Sequence, residues 1–450
     1  MKHILFIISI CLALFVQGQA IPVTIETIDG VTTLVRNGEP YYIKGAGGKE
    51  HLDLLLELGG NSIRTWSIDE TRGILDVAHE KGLTVMVGLW VGHERHGFDY
   101  NNKAAIRRQY ERFEAAVKEL KDHPAVLLWG VGNEVDLFYT NTKVWDAVQD
   151  IAKMIHEVDG KHPTTTVTAG IDSMEVHLIQ TKCPDIDFLS VNTYGDLHKV
   201  PTNVRKWGLK GPYLISEWGP TGHWEVEKTR WGAPFEQTSE EKADSYRNRY
   251  KDHIAAHRAD GLLGSYVFLW GQKQETTETW YGLFDVEGRP TRPLDMMRLN
   301  WKGELPEDQT PILSSLTLRG EEVIEGSNMF YQDAIIQASL VASDAKEKKL
   351  DVEWSLVPEA TNTKAGGDAE DALQKISGHL RNVGTDGVEI IVPMREGGYR
   401  IFVKVTDEAG HVAYANIPFY SYPKPTDAEQ RQWVKWQPTT MDDFNRDMGE

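Results

Sequence analysis

The chain has 450 residues, 40% of them hydrophobic, and a formal net charge of −19. It is too long for one ordinary domain and too apolar for a disordered chain. Its acidity disfavours nucleic acid and anionic polymers as partners.

The N-terminus reads Met1-Lys2-His3, then an apolar run from Ile4 to Val16, then Gly18-Gln19-Ala20. A short positive region, an apolar stretch too short to span a bilayer and a small-residue site predict a secretory signal over 1–20, cleaved after Ala20. The alternative is a buried N-terminal strand. Cleavage implies a secreted or periplasmic product. Cys11 lies inside the segment, but Ile8-Ser9-Ile10 before it is a poor lipid-attachment pattern, so a freely soluble product is expected, with surface attachment left open. Only Cys183 then remains, which rules out an intramolecular disulfide. No later segment is apolar and long enough to insert in a membrane. A monomer is expected.

Residues 23–36 alternate around Asp29-Gly30, the signal of a β-hairpin, expected to close the bottom of the domain after it. From residue 40 strands and helices alternate. Strand candidates are 41–45, 61–66, 84–90, 125–131, 164–168, 188–192, 213–217 and 262–270. Helical patterns fall at 49–58, 70–81, 102–122, 143–158, 172–181, 239–258 and 292–301, with a weaker one at 200–208. Eight such units predict an α/β fold, a (β/α)8 TIM barrel over 21–303 that includes the hairpin. A doubly wound open sheet is the competing architecture. Gly45-Ala46-Gly47-Gly48 does not complete its phosphate-binding fingerprint. Residues 304–311, acidic and flanked by Pro306 and Pro311, read as a linker. Short alternating runs over 312–424 predict an immunoglobulin-like β-sandwich, with a polar loop at 360–372. Residues 425–450 form a charged, aromatic C-terminal extension.

Two apolar strands end in carboxylates. One is Trp129-Gly130-Val131-Gly132-Asn133-Glu134; the other is Leu214-Ile215-Ser216-Glu217-Trp218-Gly219. A buried strand does not tolerate such an ending without a purpose. Two carboxylates at the C-terminal ends of different barrel strands suit glycosidic bond cleavage, which needs a proton donor and a second carboxylate at the anomeric carbon. If the two lie about 5 Å apart, configuration is retained. Glu134 is read as the acid/base and Glu217 as the nucleophile. The plain alternative for each alone is a solvated loop residue.

The stretch Trp-Gly-x-Gly-Asn-Glu after His123-Pro124-Ala125-Val126 resembles the acid/base motif of glycoside hydrolase clan A, and Ile-Ser-Glu-Trp-Gly resembles its nucleophile motif. The order, acid/base on strand four and nucleophile on strand seven, is also the clan's. The barrel looks like that of family 2, without the jelly-roll domains that precede it there. A barrel with only a C-terminal immunoglobulin-like domain is closest in architecture to the family 158 endo-β-1,3-glucanases. The resemblance implies that Asn133 bonds a sugar 2-hydroxyl, that Arg64 keeps the nucleophile ionised, and that Tyr194 hydrogen-bonds it. It also implies that Trp270 lies under the sugar at the cleavage point. Their plain alternatives are a structural cap, a surface ion pair and core aromatics.

Sugar rings have apolar C–H faces, so aromatic platforms are expected. Trp66, Trp90, Trp218 and Trp270 sit at strand ends, and Trp224, Trp231 and Trp280 in the loops after strands seven and eight. Trp145 and Trp301 read as core. His93-Glu94-Arg95-His96 is not a zinc motif, because the histidines are three apart and follow a strand. His93 is read instead as a substrate or acid/base contact, and no metal or cofactor is expected. No G-x-S-x-G elbow supports a serine hydrolase.

These residues predict a retaining glycoside hydrolase acting by double displacement on a neutral β-glucan polysaccharide or oligosaccharide. Endo-β-1,3-glucanase on laminarin is the preferred reading. A β-mannan or β-1,4-glucan hydrolase, a β-1,3-glucan transglycosylase and a non-catalytic carbohydrate-binding barrel are the alternatives.

Overall fold

The computed structural model describes residues 19–425. The signal segment, apart from Gln19 and Ala20, and the C-terminal extension after 425 lie outside the described residues. The chain forms two compact units. One takes in the described residues up to Gly219 with Tyr246–Gly271 and Met297–Glu304; the other is Pro220–Ser245, Gln272–Met296 and the described residues from Leu305 on.

The first unit opens with an antiparallel meander, β1 (Val23–Ile28), β2 (Val31–Arg36) and β3 (Glu39–Tyr41). Asp29 and Gly30 both take positive φ, 52° and 82°, the two-residue turn whose twist suits a hairpin. Eight parallel strands come next: β4 (Ile43–Gly47), β5 (Ser62–Arg64), β6 (Thr84–Leu89), β7 (Val126–Asn133), β8 (Thr164–Ala169), β9 (Phe188–Asn192), β10 (Tyr213–Trp218) and β11 (Leu262–Val267). β11 pairs with β4, so the sheet closes into a barrel. Every residue of β6, β7, β9, β10 and β11 is buried. That is why these strands are nearly continuous apolar runs: both faces are covered.

The helices are α1 (Leu52–Glu57), α2 (Thr71–Glu80), α3 (Lys103–Leu120), α4 (Lys143–Val158), α5 (Ser173–Lys182), α6 (Val200–Lys206), α7 (Ser239–Arg249) and α8 (Pro293–Lys302). α4 buries Val144, Val148, Ile151 and Ile155, a stripe with helical spacing. Several helix starts are marked by capping residues. Asn102 accepts from the Ala105 N–H at 3.1 Å to cap α3, and Asp172 accepts from the Met174 N–H at 2.6 Å to cap α5. Thr238 and Glu241 exchange side-chain and backbone hydrogen bonds of 3.2 and 2.7 Å ahead of α7, a capping box.

Val23 and Leu34 of the meander share an apolar cluster with Ile43, Leu127, Phe188, Leu214 and Leu263, residues at the starts of barrel strands. The meander therefore covers the N-terminal end of the barrel and leaves the C-terminal end for the site. Strand limits differ from the periodicity at that end. β5 stops at Arg64 and β11 at Val267, so Trp66 and Phe268–Trp270 belong to the mouth; β7 continues to Asn133.

In the second unit β12 (Ile312–Arg319), β13 (Glu322–Ile324), β14 (Met329–Tyr331), β15 (Ile335–Ser343), β16 (Asp351–Pro358), β17 (Leu380–Arg381), β18 (Gly387–Ile391), β19 (Gly397–Thr406) and β20 (Val412–Tyr422) form two sheets. Their orders are β12-β15-β18-β17 and β13-β14-β20-β19-β16. Phe330, Ile336, Trp354, Leu356, Ile390, Ile401 and Phe419 fill the space between them. Among the described residues no helix is long and apolar enough to cross a membrane.

Candidate active site

Four strand ends of the first unit bring their polar residues together. Arg64 ends β5, Asn133 and Glu134 come from the end of β7, Asn192 ends β9 and Glu217 lies near the end of β10. Gly132, at φ 82°, and Glu134, at φ 50°, turn the chain off β7 in the left-handed region. For a glutamate that conformation costs about 1–2 kcal/mol in steric strain. The turn is held by the Glu134 N–H to the Val167 carbonyl, 2.9 Å.

Glu217 accepts three hydrogen bonds. Arg64 Nη1 and Trp66 Nε1 donate to Oε1 at 2.9 and 2.8 Å, and the Tyr194 hydroxyl donates to Oε2 at 2.9 Å. Arg64 and Glu217 are both buried, so removing either would strand the other's charge at a cost of about 3–5 kcal/mol. Arg64 also donates to the Ser216 carbonyl at 2.7 Å, to Asn192 Oδ1 at 3.2 Å and to Asn133 Oδ1 at 2.6 Å. Phe268 stands edge-on between Trp66 and Tyr194, with ring centroids 5.9 and 6.0 Å away, and so fixes both donors.

Glu134 sits differently. Asn192 Nδ2 donates to its Oε1 at 2.9 Å and to Asn133 Oδ1 at 3.1 Å. Asn192 thus links the two carboxylates: its amide nitrogen holds Glu134 while its oxygen accepts from the guanidinium that holds Glu217. Burial, and then the charge of Glu217, push the Glu134 carboxyl up to about 7; the Asn192 amide, Arg64 and Arg95 oppose this. A carboxyl still largely protonated just below neutral pH, beside an ion-paired carboxylate, can donate a proton while its neighbour attacks.

Asn133 commits its oxygen to Arg64 and Asn192, which leaves its Nδ2 as the group that could donate to a sugar hydroxyl. Trp90 lies parallel to His93 at 4.7 Å, and His93 to His96 at 5.2 Å, in one stack after β6. Arg95 Nε donates to His93 Nδ1 at 3.2 Å. Asn192 and the indole N–H of Trp66 were not foreseen as partners of the carboxylates. Position i+2 from Arg64 was the available signal for Trp66, since alternate residues leave a strand on the same side.

Three tryptophans expected at the substrate are covered by protein. Trp218 is 0% exposed, with Tyr246 and Tyr250 rings 5.4 and 6.0 Å away. Its neighbour Glu217 faces the barrel axis, so alternation sends Trp218 outward to the helices. Trp270 is 1% exposed, donates to the Glu50 carbonyl at 2.9 Å and packs near Trp301. Trp280 is likewise 1% exposed and donates to the Thr221 carbonyl at 3.0 Å. No face of these rings is open to a sugar. In the second unit Trp224 is exposed and Trp231 lies against Tyr420, 5.5 Å between centroids. Trp145 and Trp301 are buried.

One group of described residues has the donor set for a metal ion: Asp308, Asp407 and His411, with ligand atoms within 4.8 Å of one another. Lys348 ion-pairs with Asp308 and reaches Asp407 at 4.0 Å, so a side-chain ammonium already supplies the positive charge there.

Fold and site together, a closed (β/α)8 barrel with two carboxylates at strand ends, resemble a glycoside hydrolase barrel of the clan A type. Residues 49–240 match the family described as "Glycosyl hydrolases family 2, TIM barrel domain". Among curated relatives, the chain is 25% identical over 235 residues to a β-glucuronidase of Sus scrofa, covering 44% of this chain and 34% of that protein. It is 23% identical over 323 residues to a β-glucuronidase of Streptococcus agalactiae serotype V, covering 62% of this chain and 52% of that protein. The chain thus spans about half or less of the length of these relatives. A solved β-D-glucuronidase of Dictyoglomus thermophilum aligns over 64% of this chain and 54% of its own at 18% identity and a TM-score of 0.48. The family match and the curated relatives overturn the endo-β-1,3-glucanase reading and its β-glucan alternatives: the relatives are β-glucuronidases, and the likeness to family 158 finds no counterpart among them.

Proposed function

We propose that this chain is a retaining β-glycosidase and that its substrate is a β-glucuronide. The observation that carries the mechanism is the unequal treatment of two linked glutamates: Glu217 takes a cation and two further donors, Glu134 takes burial and one amide. Glu217 attacks the anomeric carbon as the bond to the leaving oxygen breaks, and Glu134 passes its proton to that oxygen. The covalent ester then formed on Glu217 carries no charge. Part of what raised the Glu134 carboxyl is thereby removed, so the group becomes a better-ionised base when water must be activated. Water then attacks the anomeric carbon, Glu134 takes its proton, and the bond to Glu217 breaks to release it as a carboxylate.

The printed names of the relatives support the sugar. So does the local charge: Arg95 lies close enough to act on Glu134, on a short turn after β6, where a uronate carboxylate could meet it. We also infer export, from the run between Ile4 and Val16.

A panel of phenyl β-D-glycosides, namely glucuronide, glucoside, galactoside and mannoside, tests the sugar. Glucuronide should be turned over best, and the first-formed product should be the β-anomer by NMR. Glu134→Gln and Glu217→Gln should each lose about 10²–10⁴-fold or more in kcat; Glu134→Gln should keep the wild-type Tm, whereas Glu217→Gln, which removes the charge opposite the buried Arg64, should lower it. An α-anomer as first product would defeat the mechanism; preference for a neutral sugar would defeat the substrate.

A further inference from the structure

The loop that leads away from the proposed acid/base, residues 134–141, is fixed along its length. The Leu137 N–H bonds the Glu134 carbonyl at 3.0 Å. The Asp136 carboxyl accepts from the Ala169 N–H at 3.1 and 3.0 Å. Tyr139 stands edge-on to the buried Trp145, centroids 6.1 Å apart. The N–H groups of Thr140 and Asn141 both bond Glu94 Oε2, at 2.5 and 2.9 Å. In the middle of this pinned segment Phe138 is 67% exposed and has φ 58°. A bulky L-residue avoids that backbone region, and an exposed phenylalanine gains nothing from burial. A loop tied down on both sides of it cannot be dismissed as loose chain. Two unfavourable features therefore coincide on one residue, four positions after Glu134.

We infer that Phe138 is a binding platform for the leaving group, one that takes an aglycone with a flat apolar face, either an aryl ring or a second pyranose. The inference rests on the assignment of Glu134 as proton donor. A proton donor must stand on the leaving-group side of the bond it cleaves, because its proton goes to the departing oxygen. Whatever its own loop presents to solvent is then on that side too. Four residues of chain reach at most about 14 Å, enough to pass the ring next to the glycosidic oxygen. An aromatic face offers such a ring dispersion and apolar contact without demanding particular hydroxyls.

The test compares leaving groups on the sugar the wild type prefers. A phenyl β-glycoside and a β-linked disaccharide each place a ring beyond the cleaved bond; the corresponding glycosyl fluoride places a single atom there. Phe138→Ala should lower kcat/KM about tenfold on the ring-bearing substrates, mainly through KM, and leave the fluoride within about twofold. Phe138→Trp should keep or improve the ring-bearing values. Loss on phenyl glycoside alone assigns an aryl aglycone, and loss on disaccharide alone a sugar. Equal loss on all three substrates, or no loss on any, overturns the inference. Phe138→Gly relieves the backbone and keeps the protein folded should Phe138→Ala lower Tm, so the comparison can still be made. A wild type inert on all three substrates defeats the glycosidase reading itself; an active wild type with an indifferent Phe138→Ala defeats this inference alone.

Discussion

Glu134 and Glu217 are the same side chain with opposite duties, and their neighbours account for the difference. Because the Glu134 carboxyl is raised to about 7, chiefly by burial, it is protonated below that pH and loses its proton above it. Turnover that needs its proton must therefore fall as pH rises through about 7. We expect kcat/KM on a phenyl glycoside to drop about tenfold per pH unit on that side, and the limb to vanish in Glu134→Gln; a limb that persists in the variant would assign the titration elsewhere. Both glutamates were legible because an apolar strand has no other reason to end in a carboxylate. Asn192 was not, since its value lies in reaching Glu134 with one atom and Arg64 with another, and only barrel closure puts those partners beside it. The tryptophans show the opposite error. Residue type suggested platforms, yet Trp218 comes directly after an inward-facing glutamate and could only face the helices.

At the level of strands and helices, the sequence marks each unit by where its apolar run starts and which residue caps the next helix. What periodicity does not mark is how closely two strand ends must approach. Gly88 in β6 shows this. A Cβ there would lie 2.3 Å from the Thr65 carbonyl oxygen and 2.6 Å from the Trp66 Cα, so the backbone after β5 fits only because residue 88 has no side chain. Trp66 is the residue whose indole donates to Glu217 at 2.8 Å. Gly88→Ala should therefore push the Trp66 backbone away and weaken that bond. We expect a loss of about 1–3 kcal/mol in stability from overpacking, together with a fall in kcat about ten- to a hundredfold, read by denaturant unfolding and steady-state kinetics. A variant that loses stability with full kcat would show that Trp66 is not held through this contact. The same β5 limit explains why the strand reading 61–66 ran too long: Thr65 and Trp66 are apolar enough to continue a strand, but they turn into the mouth.

For the molecule as a whole, net charge is a poor guide to which sugar is bound. A charge of −19 is spread over the entire surface and is screened within about 8–10 Å, whereas one sugar meets the few groups that line its pocket. Domain limits carry a similar lesson. Pro306 and Pro311 suggest a linker at 304–311, but residues 220–245 and 272–296 form one unit with the described chain from Leu305 on, through partners more than a hundred residues away. Their centre is Glu236, buried, which accepts from Lys242 at 2.5 Å, Thr277 at 2.6 Å, Thr279 at 2.8 Å and Asn416 at 2.7 Å. Lys242 in turn donates to the Thr279 carbonyl at 2.6 Å and lies over the Tyr414 ring at 4.9 Å. Nothing local announces this, because Glu236 and Lys242 alone read as a helix-start charge pair on a solvated surface. Burial changes its weight. Lys242→Met leaves a carboxylate in the interior with only neutral donors, which costs about 3–5 kcal/mol. Spread over a unit of this size, that should lower its unfolding midpoint by about 10 °C in calorimetry of the full chain. It should also open new proteolytic cuts within 220–245 and 272–296, segments that begin just after Glu217-Trp218-Gly219 and Trp270-Gly271. Cuts confined to 305–425 would mean that the two segments do not depend on this pair.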